Sequence, residues 1–148
     1  MRHPGLRERG AGMAETALVL GVVLALLFGI IDFGRTMYTY AFTAQLARQG
    51  ARWAIVRGDQ CTLLDHCSAT SDQIQTYIRG LSYGATDANN IQVTASWNPT
   101  SCPPNSTTAK QPGCVITVNV QYPFKFIAPF VSQATLNMSS TSQMVISQ

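Results

Sequence analysis

The sequence is poor in charge. Only 11% of its 148 residues are Asp, Glu, Lys or Arg, whereas 46% are apolar. This balance excludes a disordered chain, which needs high charge and low hydrophobicity. The net charge of +3 is too small for the broad basic surface of a nucleic-acid-binding domain. We therefore expect no nucleic acid among the partners of this protein.

Catalytic signatures are scarce as well. The sequence contains no Gly-rich phosphate loop, no Gly-x-Ser-x-Gly and no His-Glu-x-x-His spacing. His66 stands beside Cys67, but the short Cys-x-x-Cys spacing of zinc sites is missing, so His66 is interpreted as a loop residue. The sequence therefore predicts no enzyme, no metal site and no cofactor.

One long apolar run stands out. Thr16 to Ile31 are 16 residues without a charge, and as a helix they would span about 24 Å of a hydrocarbon core about 30 Å thick. Glu15 and Asp32 flank the run and can reach toward the two interfaces, which extends the usable span. The alternative, a buried core helix of a soluble protein, is typical of shorter runs. We interpret the run as a transmembrane segment.

The charges around the run predict its orientation. Arg2, Arg7 and Arg9 precede it, which places the N-terminus in the cytoplasm and everything after Asp32 outside. A cleaved secretion signal would need a small-x-small site at the end of the run, where Asp-Phe-Gly-Arg stands instead. The segment is therefore expected to stay attached as a single-pass anchor.

The helix should continue beyond the membrane. We predict one helix of 42 residues from Ala14 to Ile55, with Gly58 as a stop. Side chains spaced alternately three and four residues apart form one stripe along this helix. The N-terminal half of the stripe, called its lower half, has bulky side chains, and the C-terminal half, called its upper half, has only alanine. Its members are Ile30, Phe33, Met37, Tyr40, Ala44, Ala47, Ala51 and Ala54. The alanine half packs either on the protein's own outer domain or on a neighbouring subunit.

The remainder indicates a small α+β domain. Asp72 is a candidate cap for a short helix that ends near Leu81. Apolar and polar residues alternate over 91–97 and 116–122, and more weakly over 136–146, which predicts a half-buried, three-stranded antiparallel sheet. The long helix would cover its apolar face. Pro123 and Pro129 are predicted to end the second strand and shape its link to the third.

Four cysteines lie after the apolar run, and four cysteines allow three pairings. Pairing of neighbours, Cys61 with Cys67 and Cys102 with Cys114, closes two local loops and is the simplest choice. Disulfides need an oxidising compartment, which agrees with the orientation derived from charge.

The position of Glu15 suggests proteolytic processing. Counted from the bond after Gly10, Glu15 is the fifth residue and the apolar run begins at the sixth. A short basic leader that ends in Gly, then a fifth-residue Glu, then an apolar helix resembles the processing site of type IV pilin-like proteins. The resemblance implies cleavage by a prepilin-type peptidase between Gly10 and Ala11. It also implies that Glu15 pairs with the new amine of an adjacent subunit, because a charge inside an apolar bundle must be paired.

Other stretches extend this resemblance. Phe33-Gly34-Arg35 follows the run, and residues 47–54 have the sequence Ala-Arg-Gln-Gly-Ala-Arg-Trp-Ala. The C-terminal stretch 115–122, followed by Phe124-Lys125-Phe126, completes the pattern. Together they are similar to the TadE-like family of pilus-assembly proteins. The resemblance implies a minor pilin-like subunit of tight-adherence pili in the bacterial inner membrane. Its implied partners are other pilin-like subunits and the assembly machinery, in addition to membrane lipid.

These observations divide the chain into a basic leader (1–10), a transmembrane and extended helix (11–58) and a disulfide-bridged outer domain (59–148). Three functions remain open. The first is a pilin-like structural subunit or assembly factor. The second is a permanently anchored envelope scaffold, in which Glu15 is an ordinary interfacial acid. The third, a membrane-tethered enzyme or ligand-binding domain, is disfavoured because no nucleophile, base and orienting group can be named.

Overall fold

The computed structural model describes residues 5–82, 87–128 and 134–147, with side chains from Gly12 onward. The helices are α1 (Gly5–Ile55) and α2 (Ser71–Leu81), and the strands are β1 (Gln92–Asn98), β2 (Val115–Lys125) and β3 (Thr135–Val145). Two short 3-10 turns, Ala88–Asn90 and Pro99–Ser101, flank β1. The predicted α+β class, a long N-terminal helix followed by a three-stranded sheet, is confirmed.

The first helix is longer than predicted. It ends at Ile55, as expected, but it begins at Gly5 and has 51 residues, a length of about 77 Å. The added turns contain Leu, Arg, Glu and Met, which have high helix propensity. The helix therefore continues across the predicted boundary between leader and anchor without a break.

The sheet has the strand order β1-β2-β3 with both pairs antiparallel. Its central register places Ala95 opposite Val118 and Val118 opposite Ser142. One face packs against the upper half of α1 and against α2, while the other face is polar. Side chains with no more than 1% exposure form the core: Ala47, Ala51, Ile74, Ile78, Ile91, Cys114, Ile116, Val118 and Val120.

The prediction that Pro123 ends the second strand is wrong. Pro123 lies inside β2, opposite Asn137 of β3. The register of β1 with β2 stops at the Gln92–Gln121 pair, so β2 has only one paired neighbour at Pro123. A residue without an N–H is tolerated there because one side of the strand needs no donor. Pro129 lies outside the described residues.

The cap of α2 is also different from the prediction. Thr70, not Asp72, is the N-cap: its side chain accepts a hydrogen bond from the backbone N–H of Gln73. The Gln73 side chain accepts one in return from the Thr70 N–H at 2.9 Å, which completes a capping box. Asp72 lies in the first turn, where its charge favours the helix N-terminus.

The predicted stripe on α1 is half right. Ala47, Ala51 and Ala54 are buried against the protein's own sheet and α2, which decides between the two packing alternatives for these residues. The bulky lower half, from Ile30 to Tyr40, is exposed. A stripe with a mean spacing of 3.5 drifts by about 20° per heptad around a straight helix. Over three heptads it therefore leaves the face that the alanines occupy.

Candidate functional site

The predicted processing bond lies in continuous helix. Gly10 and Ala11 both belong to α1, and their side chains lie outside the described part of the chain. Residues 11 and 15 are four apart, so they occupy one face of the helix, one turn from each other. A new amine at Ala11 would therefore stand on the same face as the Glu15 carboxylate.

Glu15 is exposed. Among the side chains that the structure describes, none forms an ion pair with it. One residue on, the Thr16 hydroxyl donates to the carbonyl oxygen of Gly12 at 2.7 Å, so that hydroxyl is satisfied within the helix. The Glu15 side chain is thus exposed at the head of the apolar run.

The apolar run is an exposed cylinder. The most apolar stretch of α1 has a mean hydropathy of 2.5, and only 6% of that stretch is buried within the protein. Leu18, Leu26 and Ile30 each expose more than 60% of their surface. By length and composition this helix could cross a membrane, and among the described residues it is the one helix that could.

Asp32 joins α1 to the connection after β2. Arg35 Nη1 lies 3.1 Å from Asp32 Oδ1, and Asp32 itself is only 4% exposed. The Ile127 N–H donates to both carboxylate oxygens at 3.1 Å, and the Ala128 N–H donates to Oδ2 at 2.8 Å. A carboxylate with three charge-assisted partners can be buried at low cost.

Aromatic contacts surround this junction. The Arg35 guanidinium lies 5.1 Å from the centroid of the Phe124 ring, a favourable cation–π geometry. Phe126 meets Phe124 edge to face at 5.3 Å. We call the group Asp32, Arg35, Phe124 and the 126–128 segment the helix–sheet junction. It fixes the lower end of the sheet on α1 where the apolar run ends.

The burial of Asp32 is not predicted from the sequence, because the predicted stripe of α1 is defined by apolar side chains and does not contain Asp32. A second stripe at a spacing close to 3.6 contains the small or polar residues that face the sheet. Its members are Asp32, Thr36, Thr39, Thr43, Ala47, Gly50 and Ala54. On a helix whose other faces meet lipid or neighbours, such residues mark the face turned toward the protein.

The far end of the domain is held by the two disulfide loops. Cys61 is bonded to Cys67 and Cys102 to Cys114, the pairing of neighbours that the sequence favours. Asp59 links the two loops, since its carboxylate accepts hydrogen bonds from the hydroxyls of Thr108 and Ser68.

Charge strengthens this link. The hydrogen bond from Thr108, followed in size of effect by the one from Ser68, lowers the pKa of Asp59 below its ordinary value, and the nearby charge of Lys110 acts in the same direction. Lys110 itself donates to the carbonyl oxygens of Ser68 at 3.1 Å and Ala69 at 2.9 Å. Its ammonium lies 4.6 Å from the Trp97 ring centroid, so it ties the second loop to the first and to β1.

His66 lies in the first disulfide loop with a positive φ of 60°. Its Nδ1 lies 3.2 Å from Nε2 of Gln73 on α2, which orients the ring toward that helix. Within the described residues, no group of three His, Cys, Asp or Glu side chains is arranged to hold a metal ion.

The family comparison concerns the part of the chain that carries Gly10, Glu15 and Asp32. The family model described as TadE-like protein matches residues 10–52. Over these residues the chain is similar to the TadE-like family. The match agrees with the part of the inferred resemblance that lies in residues 10–52, whereas residues 53–148, with the C-terminal stretch 115–126, lie outside it. No curated protein and no solved structure matches the chain.

Proposed function

We propose that this protein is a minor pilin-like structural subunit of a tight-adherence pilus. The observation that carries the proposal is the exposed Glu15 side chain, five residues after the Gly10 bond and at the head of an exposed apolar helix, inside the segment 10–52 that is similar to the TadE-like family. Its role is structural rather than catalytic. Its partners are other pilin-like subunits, the assembly machinery and a prepilin-type peptidase.

The exposed helix supports assembly with neighbours. A helix that is apolar on all sides must be covered by lipid or by other helices. In the inner membrane lipid covers it, with the basic N-terminus in the cytoplasm and the disulfide-bridged domain on the oxidising side. In a filament, helices of other subunits would replace the lipid. Glu15 then loses its access to water, and pairing with the amine at Ala11 of a neighbour offsets the cost.

A permanently anchored scaffold is the second candidate. It is favoured by the continuity of α1, which passes through the Gly10–Ala11 bond as helix and does not present that bond on an extended chain. In this case Glu15 would stay at the cytoplasmic interface as an ordinary exposed acid, and the leader would remain on the mature chain.

The mass of the N-terminus from native envelopes tests the proposal. A mature chain that begins at Ala11 supports the pilin-like subunit, and a chain that retains residues 1–10 supports the scaffold. Gly10→Leu should block cleavage, because a large side chain at the bond prevents close approach by the peptidase backbone. Gly21→Leu is the matched control, since it adds the same side chain away from the bond, at a position where a Cβ meets nothing within 4 Å.

Glu15→Gln separates processing from assembly. The amide keeps the size of the side chain but removes the anion, so cleavage should continue while pilus-dependent attachment is lost. Asp65→Asn neutralises an exposed acid of the outer domain and should leave both unchanged. If Gly10→Leu changes neither the size of the chain nor attachment, no processing occurs at that bond and the scaffold is the better explanation.

A further inference from the structure

The connection after β2 comes down to the level of the apolar run. Its N–H groups at Ile127 and Ala128 are bound by Asp32, the first residue after Ile31. In an α-helix the Cα–Cβ bond points toward the N-terminus. The Asp32 carboxylate therefore lies toward the apolar run, and it holds the backbone of residues 127–128 at or below the level of Asp32.

Burial along the run agrees with this placement. Phe28, one turn before Asp32 on the same face, is partly buried, whereas Leu27 and Gly29 on either side are exposed. This asymmetry marks the side of the run on which the outer domain lies. On the connection itself the Ala128 side chain is buried, but the Ile127 side chain is 56% exposed.

The hydrogen bonds to Asp32 have a reason at this depth. Non-helical backbone near the hydrocarbon region is tolerated only when its polar groups are satisfied by protein, because each unpaired group costs several kcal/mol. One carboxylate satisfies two consecutive N–H groups here. This arrangement suits a connection that touches lipid. In a loop surrounded by water, water molecules would accept the hydrogen bonds of these N–H groups, and the carboxylate would not be needed.

We propose that the outer domain makes a second contact with the bilayer, in which the Ile127 side chain inserts at the boundary between headgroups and acyl chains beside α1. The occupant of this surface is phospholipid, because the exposed Ile127 is continuous with the exposed cylinder of the apolar run. Leu136, which is exposed at the start of β3 near the same end of the sheet, extends the apolar surface. Lys125 is exposed two residues before Ile127, and its long side chain can extend to the headgroups while its apolar stem stays near the acyl chains.

This inference rests on α1 crossing the membrane, as in the proposed function, but not on cleavage after Gly10. Through this contact the 126–128 connection sets the height and tilt of the outer domain relative to the bilayer. An interfacial apolar side chain beside a spanning helix restricts the rotation and tilt of that helix.

Photo-crosslinking of the full chain in nanodiscs of phosphatidylethanolamine and phosphatidylglycerol tests it. The photoreactive residue p-benzoylphenylalanine replaces Ile127 in one variant and Leu136 in a second. It replaces Leu24, within the apolar run, as the positive control. Leu63 is the negative control, because it is 96% exposed but lies in the first disulfide loop at the far end of the domain. Adducts are identified by intact mass.

Lipid adducts at positions 127 and 24, several-fold above the yield at 63, are the expected result. Lipid adducts at 24 with only protein–protein adducts or none at 127 overturn the inference and leave the spanning helix intact. A position 63 that captures as much lipid as 127 also overturns it, because the contact would not be specific to this end. Absence of lipid adducts at both 24 and 127 overturns the inference together with the membrane span on which it rests.

Discussion

The carboxylate of Asp32 accepts a hydrogen bond at 2.8 Å from the backbone N–H of Ala128, a residue 96 positions later in the chain. With the bond from Ile127, this contact closes the helix–sheet junction at the point where the apolar run ends. At the opposite end the Ser147 N–H donates to the carbonyl oxygen of Ile55 at 3.0 Å. The upper half of α1 is thus fixed to the sheet at both ends, while the lower half has no such support in the described part of the domain.

Asp32→Ala should weaken the junction. It leaves two partly buried N–H groups without an acceptor, which costs about 1–3 kcal/mol of the free energy of unfolding for each group left unpaired. Amide hydrogen exchange at Ile127 and Ala128, in the full chain in detergent, should become faster, with a smaller change at Val118 in the core. Asp65→Asn is the control, since Asp65 is an exposed acid of a loop. Unchanged exchange at 127 and 128 in Asp32→Ala would contradict the assignment.

Gly50→Ala should destabilise the domain although alanine favours helix. A Cβ at Gly50 would lie 2.5 Å from Cδ1 and 3.2 Å from Cγ1 of Ile78, whose side chain is fully buried. Overpacking of this kind costs about 1–3 kcal/mol of the free energy of unfolding. The better helix propensity of alanine returns about 1 kcal/mol. Because the Ile78 side chain is fully buried, we expect a cost in the upper part of the overpacking range and therefore a net loss of stability. Denaturant unfolding monitored by tryptophan fluorescence measures the difference.

Two variants make the Gly50 prediction specific. Gly80→Ala in α2 meets nothing within 4 Å and should be stabilising by up to about 1 kcal/mol. Adding Ile78→Val to Gly50→Ala removes the Cδ1 methyl group that lies closest, so the double variant should lose less than the sum of the two single changes. Strict additivity would show that the two residues do not contact each other as described.

Asp59 should make the domain sensitive to acid. Its pKa in the folded protein is lowered, so the ionised form stabilises the fold above the unfolded pKa of about 3.9. This contribution disappears as the pH falls through the folded value. The difference in Tm between the wild type and Asp59→Asn should therefore be largest near neutral pH and shrink below about pH 4. A difference that stays constant down to about pH 2 would argue against ionisation of Asp59 as its source.

The two disulfides should contribute unequally to the free energy of unfolding. The Cys102–Cys114 loop has a sequence separation of 12 and the Cys61–Cys67 loop one of 6. Loop-closure entropy then assigns them about 3 and about 2 kcal/mol. Paired alanine substitutions, compared by denaturant unfolding, should lower stability in that order. Cys114 is also fully buried in the core, which adds to its effect. Non-reducing peptide mapping that finds Cys61 joined to Cys102 or Cys114 would contradict the pairing.

Much of the fold follows from local pattern. The end of α1 at Ile55, the alternation around Val118 and the short helix before β1 were all predictable, because period and turn residues are local properties of the sequence. Pro123 and the cap at Thr70 were not. Whether a proline is tolerated in a strand depends on which side of it is paired. The three consecutive residues Thr70, Ser71 and Asp72 all have capping side chains, and only the final backbone decides which of them caps the helix.

Residue type and spacing alone establish the apolar run, the acid that follows Gly10 by five residues, the TadE-like pattern and the chemistry available to four cysteines. The face of α1 that meets the sheet and the burial of Asp32 emerge only when the chain folds. Both depend on a partner about a hundred residues away. A helix turns by 100° per residue, so a small difference between a spacing of 3.5 and one of 3.6 selects different faces over seven turns. The contact with the domain, rather than the local pattern, selects between them.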